Sequence, residues 1–207
     1  MIKKKGLLLV ISGPSGAGKG TVCKELLKRN PEFKLSVSAT TRAPREGEVD
    51  GESYFFLTKE KFSEMIGQGG FLEYAQIYSN FYGTPKGPVM KYLEEGSDVI
   101  LEIEMQGARQ VKEMYPEAVL IFVLPPSLEE LRNRLTTRGT ETQEQVDERL
   151  STSFEEIKQV KDYNYFIFNE NNKTTESAMI IENLIVAEKN KASRYEKAII
   201  KKFEEEL

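Results

Sequence analysis

Residues 13–21 have the composition and spacing of a phosphate-binding loop. The segment reads Gly13-Pro14-Ser15-Gly16-Ala17-Gly18-Lys19, followed by Gly20 and Thr21. In the pattern G-x-x-x-x-G-K, glycines let backbone N–H groups turn toward phosphate oxygens, and the lysine reaches the β and γ phosphates. The dinucleotide pattern G-x-G-x-x-G fails because Thr21 stands at its last position. The loop therefore predicts a nucleoside triphosphate as ligand.

One position of this loop departs from the usual pattern. Gly20 follows the lysine, where a serine or threonine hydroxyl commonly binds Mg²⁺, and Thr21 comes one residue later. We therefore expect Mg²⁺ to be held mainly by phosphates and water, with no direct protein ligand. Thr21 and Glu102 are the side chains expected near the metal.

Arginines are concentrated in two polar segments of a chain that otherwise favours lysine. The two groups are Arg42 with Arg45, and Arg132 with Arg134, Arg138 and Arg149. A planar guanidinium binds a phosphate through two parallel hydrogen bonds, which a solvated surface does not require. The two segments therefore predict phosphate clamps.

The composition excludes several kinds of chemistry. The chain has no histidine, which removes imidazole-based catalytic triads and histidine zinc sites. Its net charge of -4 gives no sign of nucleic-acid or membrane binding, and no segment approaches the length of a membrane span. The one cysteine, Cys23, excludes an internal disulfide and fits a reducing compartment, so we expect a cytoplasmic location.

Buried strands and amphipathic helices must position these residues. A continuous apolar run at 7–12 predicts a strand buried on both faces of a parallel sheet, and helical spacing follows at 20–29. Comparable strands are predicted at 98–103, 118–124 and 165–168, with helical stretches between them. This alternation indicates an α/β fold, a parallel sheet flanked by helices with right-handed crossovers.

A first interruption of this alternation lies between residue 33 and about residue 84. Short alternating strands are predicted at 35–38, 54–57 and 71–75, around a polar loop that contains arginines. These features predict a small β-rich insertion.

A second interruption runs from 127 to about 150. The capping box Ser127-Leu128-Glu129-Glu130 opens a helix, a polar break follows at 136–143, and a second helix comes after it. This arrangement is typical of a lid. Residues 189–207 predict a charged amphipathic helix on the outside of the molecule.

The order of the motifs resembles that of guanylate kinases. The block Ser36-Val37-Ser38-Ala39-Thr40-Thr41-Arg42-Ala43-Pro44-Arg45-Glu46-Gly47-Glu48, with Gly51 and Tyr54, is similar to the acceptor-binding signature of that family. Later similar blocks are Phe71-Leu72-Glu73-Tyr74-Ala75, Tyr82-Gly83-Thr84, Glu102-Ile103-Glu104-Met105-Gln106-Gly107 and Arg138-Gly139-Thr140-Glu141-Thr142. The likeness covers nearly the whole chain up to about residue 186.

The resemblance implies a division of the chain and a reaction. A guanylate kinase-like domain would span 5–186, with its core at 5–32 and 98–186 and a C-terminal helix at 187–207. The GMP-binding insertion would cover about 33–97 and the helical lid about 127–150. The implied reaction is Mg²⁺-dependent transfer of the γ-phosphoryl group of ATP to GMP, and to dGMP, in purine nucleotide metabolism and GMP recycling.

The resemblance also implies roles for individual residues. The GMP phosphate would be held by Arg42, Arg45, Tyr54 and Tyr82. Guanine would be surrounded by Ser38, Glu73, Thr84 and Glu104, the last of which is an aspartate in many relatives. Glu102 would lie in the same site, near Mg²⁺. Lys19, Arg42, Arg134, Arg138 and Arg149 would act on the transferring group, and Asn169 would lie near adenine.

Two other functions stay open at this point. Another nucleoside monophosphate kinase, such as an adenylate kinase, also has a Gly-Lys-Gly-Thr loop, although Glu73 and the block from Ser38 to Arg45 speak against it. A non-catalytic guanylate-kinase-like interaction domain typically loses phosphate-loop residues, whereas Gly18, Lys19 and Arg138 are present here. ATP and GMP are the expected partners, and the oligomeric state stays open.

Overall fold

The computed structural model describes residues 5–136 and 142–207, which form nine strands and eight α-helices. The strands are β1 (Leu8–Ser12), β2 (Lys34–Leu35), β3 (Ala39–Thr40), β4 (Phe55–Phe56), β5 (Phe71–Ile77), β6 (Asn80–Pro85), β7 (Val99–Glu102), β8 (Val119–Leu124) and β9 (Tyr165–Phe168). The helices are α1 (Lys19–Arg29), α2 (Lys59–Gly67), α3 (Lys86–Glu95), α4 (Met105–Met114), α5 (Leu128–Thr136), α6 (Gln143–Ile157), α7 (Thr174–Lys189) and α8 (Glu196–Glu204). Short 3-10 helices lie at Lys158–Asp162 and Ala192–Arg194.

A parallel sheet of five strands in the order β2-β7-β1-β8-β9 forms the centre of the molecule. All five residues of β1 are buried, because this strand pairs on both sides and carries helices on both faces. Leu9 and Ile11 pack with α1 and α7, while Leu8 and Val10 pack with α3 and α4. The predicted α/β fold with a parallel sheet flanked by helices is confirmed.

A second sheet of four strands has the order β4-β3-β6-β5 and forms the insertion. Its β5 and β6 are antiparallel neighbours, and α2 covers it with Phe62, which stacks on Phe71 at 4.4 Å and on Phe81 at 5.5 Å between ring centroids. The prediction of an insertion strand at 35–38 is wrong. The strand in this region, β2, is Lys34–Leu35 and pairs with β7 in the central sheet. The division into core, insertion and lid stays a prediction.

Helices α5 and α6, which cover the predicted lid, pack on each other through Leu131, Leu135 and Val146. The capping box predicted at Ser127 is half present: Ser127 Oγ accepts the Glu130 backbone N–H at 3.0 Å, but the Glu130 carboxylate bonds Arg134 instead. The box with both bonds opens α6, at Thr142 and Gln145.

The C-terminal helix is shorter than predicted. Residues up to Lys189 belong to α7, a 3-10 helix follows, and α8 begins only at Glu196. No residue of α8 is buried, so this helix lies on the outside as expected.

A buried carboxylate ties α7 to the start of β1. Asp98 has a side chain that is 1% exposed, accepts the backbone N–H of Leu7 at 2.9 Å and pairs with Lys189 Nζ at 2.6 Å. Removing one partner of a buried charge leaves the other charge uncompensated in a poorly solvated place.

We expect Lys189→Met to lower the free energy of unfolding by about 1–3 kcal/mol, because the Asp98 carboxylate loses its cation while it stays buried. Lys173→Met is the matched control, since Lys173 pairs with Glu170 at the surface, and it should change stability by less than about 0.5 kcal/mol. Urea unfolding of both variants measures the difference. Equal midpoints for the two variants would contradict the assigned importance of the Asp98 pair.

Candidate active site

The phosphate loop joins β1 to α1 at the carboxyl edge of the central sheet, in contact with β8 and with the end of β9. Gly13, Gly16 and Gly18 have φ of 147°, 90° and 89°, a region that side chains other than glycine rarely adopt. A Cβ at Gly13 would overlap the Val123 carbonyl oxygen, and one at Gly18 would overlap the Asn169 amide. The glycines are therefore required both by the turn and by the close approach of two strands.

Lys19 is held at the loop by backbone oxygens. Its Nζ donates to the Gly13 carbonyl at 2.6 Å and faces the Pro14 carbonyl at 3.4 Å, with Glu104 at 3.7 Å. The Lys19 ammonium is thus held at the loop chiefly by the Gly13 carbonyl.

Glu102, at the end of β7, lies over the first turn of α1. A Cβ at Gly20 would be 3.2 Å from Glu102 Oε1, so the carboxylate takes the space that a side chain at position 20 would need. Burial raises the pKa of Glu102, and Lys19 opposes this rise. Burial and the nearby Glu102 also raise the pKa of the Cys23 thiol far above its ordinary range. Thr21 is exposed in the same turn.

Arg134 and Asn169 support the loop from the side of β9. Asn169 is buried and donates from Nδ2 to the Ala17 carbonyl at 2.9 Å. Arg134 donates to the carbonyls of Ala17 at 3.2 Å and Asn169 at 2.7 Å, and pairs with Glu130. The guanidinium of Arg134 is thus bonded to loop backbone, and its action on a transferring group stays a prediction, as does the adenine contact of Asn169.

The other lid arginines differ in their placement. Arg149, on α6, donates from Nη2 to Ser15 Oγ at 2.8 Å and so reaches the loop. Arg132 pairs with Asp147 at the surface. Arg138 lies outside the described residues.

Arg42 is oriented by a carboxylate that the sequence did not single out. Its two terminal nitrogens bond the two oxygens of Glu48 at 2.9 and 2.8 Å, and Glu48 also accepts the backbone N–H of Arg45 at 2.7 Å. Arg42 lies over the ring of Tyr54, with 5.5 Å to the centroid, and the Tyr54 and Tyr82 rings are 6.2 Å apart. Glu48, and to a smaller extent Tyr82, raise the pKa of Arg42. The structure therefore brings Arg42, Tyr54 and Tyr82 together and leaves Arg45 exposed, while their contact with an acceptor phosphate stays a prediction.

Glu73 is a buried carboxylate with one oxygen engaged. Thr84 Oγ1 donates to Glu73 Oε1 at 2.7 Å, and both residues are less than a tenth exposed. Burial raises the pKa of Glu73, and the Thr84 hydrogen bond opposes that rise. The other oxygen lies against Gly107, where a Cβ would come within 2.6 Å of Oε2. Gly107 is the second residue that the sequence did not assign, because only the fold brings α4 against β5.

One cavity of about 700 Å³ joins the pocket of Glu73 to the end of β7. Its lining includes Ser38, Tyr54, Glu73, Tyr82, Glu102 and Glu104. The Glu104 side chain is 62% exposed and lies 3.7 Å from Lys19 Nζ. It therefore faces the phosphate loop rather than Glu73. Glu104 links the wall of this cavity to Lys19 of the loop, and the contact of the lining residues with an acceptor stays a prediction.

Comparisons with known proteins agree with this geometry. A guanylate kinase family model matches residues 5–188. The chain belongs to the guanylate kinase family. It is 68% identical over 207 residues to the guanylate kinase of Clostridioides difficile, covering 100% of both chains. It is 52% identical over 206 residues to that of Caldanaerobacter subterraneus, covering 100% of this chain and 99% of the relative.

A solved structure gives the same result. The crystal structure of guanylate kinase from Anaplasma phagocytophilum superposes with a TM-score of 0.71 at 36% identity, and the match covers 92% of this chain and 90% of that one. Membership of a kinase family makes the chain a phosphotransferase, and the two other functions left open by the sequence are not supported. Within the described residues, no helix is long and apolar enough to cross a membrane.

We expect Glu48 to stay ionised in the folded protein until the pH falls to about 2, because Arg42 and the Arg45 N–H lower its pKa from 4.5. Since the folded-state pKa is the lower one, the pair stabilises the loop at neutral pH, and this contribution is lost as the pH falls through about 2. Arg42→Ala should return the pKa toward 4.5, as measured by NMR titration of the carboxyl carbon. Arg29→Ala, which breaks the remote pair with Glu182, should leave it unchanged. A parent pKa near 4.5 would rule out the pairing.

Proposed function

We propose that this chain transfers the γ-phosphoryl group of ATP to GMP, giving ADP and GDP. The observation that carries the proposal is Glu73, a buried carboxylate that accepts from Thr84 through one oxygen only, in a cavity that is also lined by Tyr54, Tyr82, Glu102 and Glu104. A carboxylate in such a place suits a ligand with two adjacent N–H donors.

Guanine has the donor pattern that Glu73 requires. Its N1–H and 2-amino group lie side by side and can donate to the two carboxylate oxygens, with O6 beside them as an acceptor. The Thr84 hydroxyl now donates to Glu73. When a guanine N–H takes that oxygen, the hydroxyl is released to donate to O6, and Ser38 at the cavity wall is the second candidate donor.

The clamp on the insertion suits the acceptor phosphate. Arg42 offers a guanidinium already oriented by Glu48, and Tyr82 and Tyr54 add a hydroxyl and an aromatic face beside it. A preoriented cation loses little conformational freedom on binding. Arg45 completes the clamp from its rim, and the GMP phosphate is then an anionic nucleophile that needs little deprotonation.

The loop supplies the donor side of the reaction. Backbone N–H groups at the start of α1 and the Lys19 ammonium would hold the triphosphate. Lys19 leaves its carbonyl partners to do so. Arg149 already reaches Ser15, and with Arg138 it would balance charge that develops on the transferring group. Because phosphoryl transfer has a loose transition state, this positioning of charge is the main task of the protein.

The residues at the loop fit a Mg²⁺ ion. Glu102 places a carboxylate oxygen over Gly20, where related loops offer a hydroxyl, and Mg²⁺ prefers oxygen ligands. The described residues contain no cluster of three or more acidic or cysteine side chains that could hold a metal alone. Glu102, with Thr21 nearby, would therefore orient a metal held by phosphates and water, and the bound metal would neutralise phosphate charge. The cytoplasmic location stays a prediction, and the oligomeric state stays open.

We expect the parent to use GMP best, then inosine monophosphate, then AMP. Inosine monophosphate lacks the 2-amino group, and an unpaired buried polar group costs about 1–3 kcal/mol, so kcat/KM should fall roughly tenfold to a hundredfold. AMP should have a still lower kcat/KM, because adenine would place the lone pair of N1 against Glu73. A coupled assay of ADP release with ATP and each monophosphate measures the order.

Glu73→Gln should lower kcat/KM for GMP by roughly a hundredfold and narrow the differences between bases, because an amide cannot accept two donors. Glu64→Gln, an exposed residue of α2 that pairs with Lys61, is the matched control. An unchanged base preference in Glu73→Gln would remove Glu73 from the guanine site.

A second variant tests the same pocket through its neighbour. Gly107→Ala should raise the KM for GMP by about tenfold or more, because the added Cβ would lie 2.6 Å from Glu73 Oε2 and must displace the carboxylate. Gly87→Ala, in a helix with no atom within 4 Å of the added Cβ, should leave the KM unchanged. Steady-state kinetics at saturating ATP decides this, and similar KM values for both variants would refute the displacement.

A further inference from the structure

The side-chain amide of Gln110 joins helix α4 to the backbone of Tyr74, the residue that follows Glu73 on β5. Gln110 Nε2 donates to the Tyr74 carbonyl at 2.9 Å, and Gln110 Oε1 accepts the Tyr74 backbone N–H at 3.1 Å. Strand β5 is at the edge of the second sheet, and an edge strand presents backbone groups that no neighbouring strand pairs. The Gln110 amide therefore takes, at one residue, the place that a further strand would have.

The residue on the other side of Glu73 is also held against α4. Leu72 is 1% exposed and belongs to the same hydrophobic cluster as Ala108 and Val111 of that helix. The backbone that carries Glu73 is thus tied to α4 twice, by apolar packing before the carboxylate and by the Gln110 hydrogen bonds after it.

A β-bulge directly precedes Glu73. Phe71 pairs with Pro85 and Glu73 pairs with Thr84, so β5 has one more residue than β6 over this step. Phe71 packs in the hydrophobic cluster of the insertion, whereas Leu72 packs in that of the core. A bulge changes the direction of the side chains beside it. The direction of Glu73 therefore depends on how this irregular stretch of backbone is held from its free edge.

Two residues on one face of α4 meet β5 at this place. Gly107 and Gln110 are three positions apart, which puts them on the same side of the helix. Gly107 leaves room for the Glu73 carboxylate, and Gln110 holds the next residue of the strand. Of the residues that the structure describes, Glu73 and Gly107 line the cavity of about 700 Å³ and Gln110 does not. Gln110 can therefore act on a ligand in that cavity only through the backbone that it holds.

We propose that Gln110 is a positioning residue for guanine recognition, which sets the direction of the Glu73 carboxylate by fixing the Tyr74 backbone to α4. The inference rests on the proposed use of GMP and adds to it a residue that decides how strictly the base is selected. Without the amide, Glu73 keeps its hydrogen bond with Thr84 but loses a fixed backbone. GMP should then bind less tightly and with less discrimination, whereas the binding of ATP at the loop should not change.

The first test compares Gln110→Ala and Gln110→Glu with the parent. Gln110→Ala removes both hydrogen bonds, and Gln110→Glu keeps the length but places a carboxylate oxygen against the Tyr74 carbonyl. We expect each variant to raise the KM for GMP about fivefold and to lower the preference for GMP over inosine monophosphate about threefold, while kcat and the KM for ATP stay within about twofold. Gln68→Ala is the matched control, because the exposed Gln68 amide bonds only Glu64 of its own helix turn, and it should match the parent.

A double-mutant cycle with Glu73→Gln shows whether Gln110 acts through Glu73. In the Glu73→Gln protein, adding Gln110→Ala should change kcat/KM for GMP by less than about twofold, because the carboxylate whose direction it sets is already gone. An effect of about fivefold in both backgrounds overturns the inference, since Gln110 would then act independently of Glu73. A KM for GMP within twofold of the parent in either single variant overturns it as well.

Thermal unfolding of every variant separates positioning from general stability. The inference requires that the Gln110 variants keep the parent Tm within about 3 °C. A larger loss of Tm, with equal losses in the use of ATP and GMP, would show that Gln110 only supports the fold and would overturn the positioning role. The parent is assayed first with ATP and GMP. A parent that does not use GMP refutes the proposed function and this inference with it, whereas an active parent with unaltered Gln110 variants refutes this inference alone.

Discussion

The close contact between the phosphate loop and the carboxyl edge of the central sheet is the constraint on which the rest of the structure depends. Gly13 lies against the β8 backbone and Gly18 against Asn169, with no room for a side chain at either place. Asn169 and Arg134 both donate to the Ala17 carbonyl of the loop, and Arg134 also donates to the Asn169 carbonyl, which ties the loop to the end of β9. Backbone N–H groups bind phosphate only when their directions are fixed. The packing of the five-stranded sheet therefore determines where the phosphoryl donor can lie.

The proposed acceptor site depends on a different constraint, which is the orientation of its charged side chains, Arg42 and Glu73, by their neighbours. Glu48 orients Arg42 from behind, and Thr84 with Gly107 sets the position of Glu73. Glu48 and Gly107 are assigned no contact with a substrate, whereas Thr84 is also a proposed donor to guanine O6. Each of the three fixes a group that is proposed to bind substrate, so a guanidinium and a buried carboxylate have defined directions before any ligand arrives.

The sequence predicted best what depends on local pattern. The apolar run of β1, the glycines after it and the lysine at the start of α1 form one continuous signal, and the structure has the strand and helix where that signal places them. The sheet membership of β2 could not be predicted from two residues, because only pairing with β7 distinguishes it from the strands of the insertion. The same limit applies to side chains. The clustering of arginines indicated anion binding. The bond of Arg134 to the Ala17 carbonyl could not be predicted, because it joins residues 117 positions apart in the sequence. Glu48 stands within a block matched to the family, whereas the contact of Gly107 with Glu73 exists only because the fold packs α4 against β5.

The environment of Cys23 has a practical consequence for measuring motion in this molecule. The thiol is buried in α1 beside Glu102 and remains protonated, and thiolate is the form that reacts with maleimides and similar reagents. Cys23 is therefore not expected to react with thiol-directed labels in the folded protein. Pairs of cysteines introduced on the exposed surfaces of the insertion and of α6 can therefore be coupled to fluorophores with Cys23 left in place. The phosphate-loop helix then needs no substitution, and changes in the distance between the insertion and α6 can be observed in otherwise native protein.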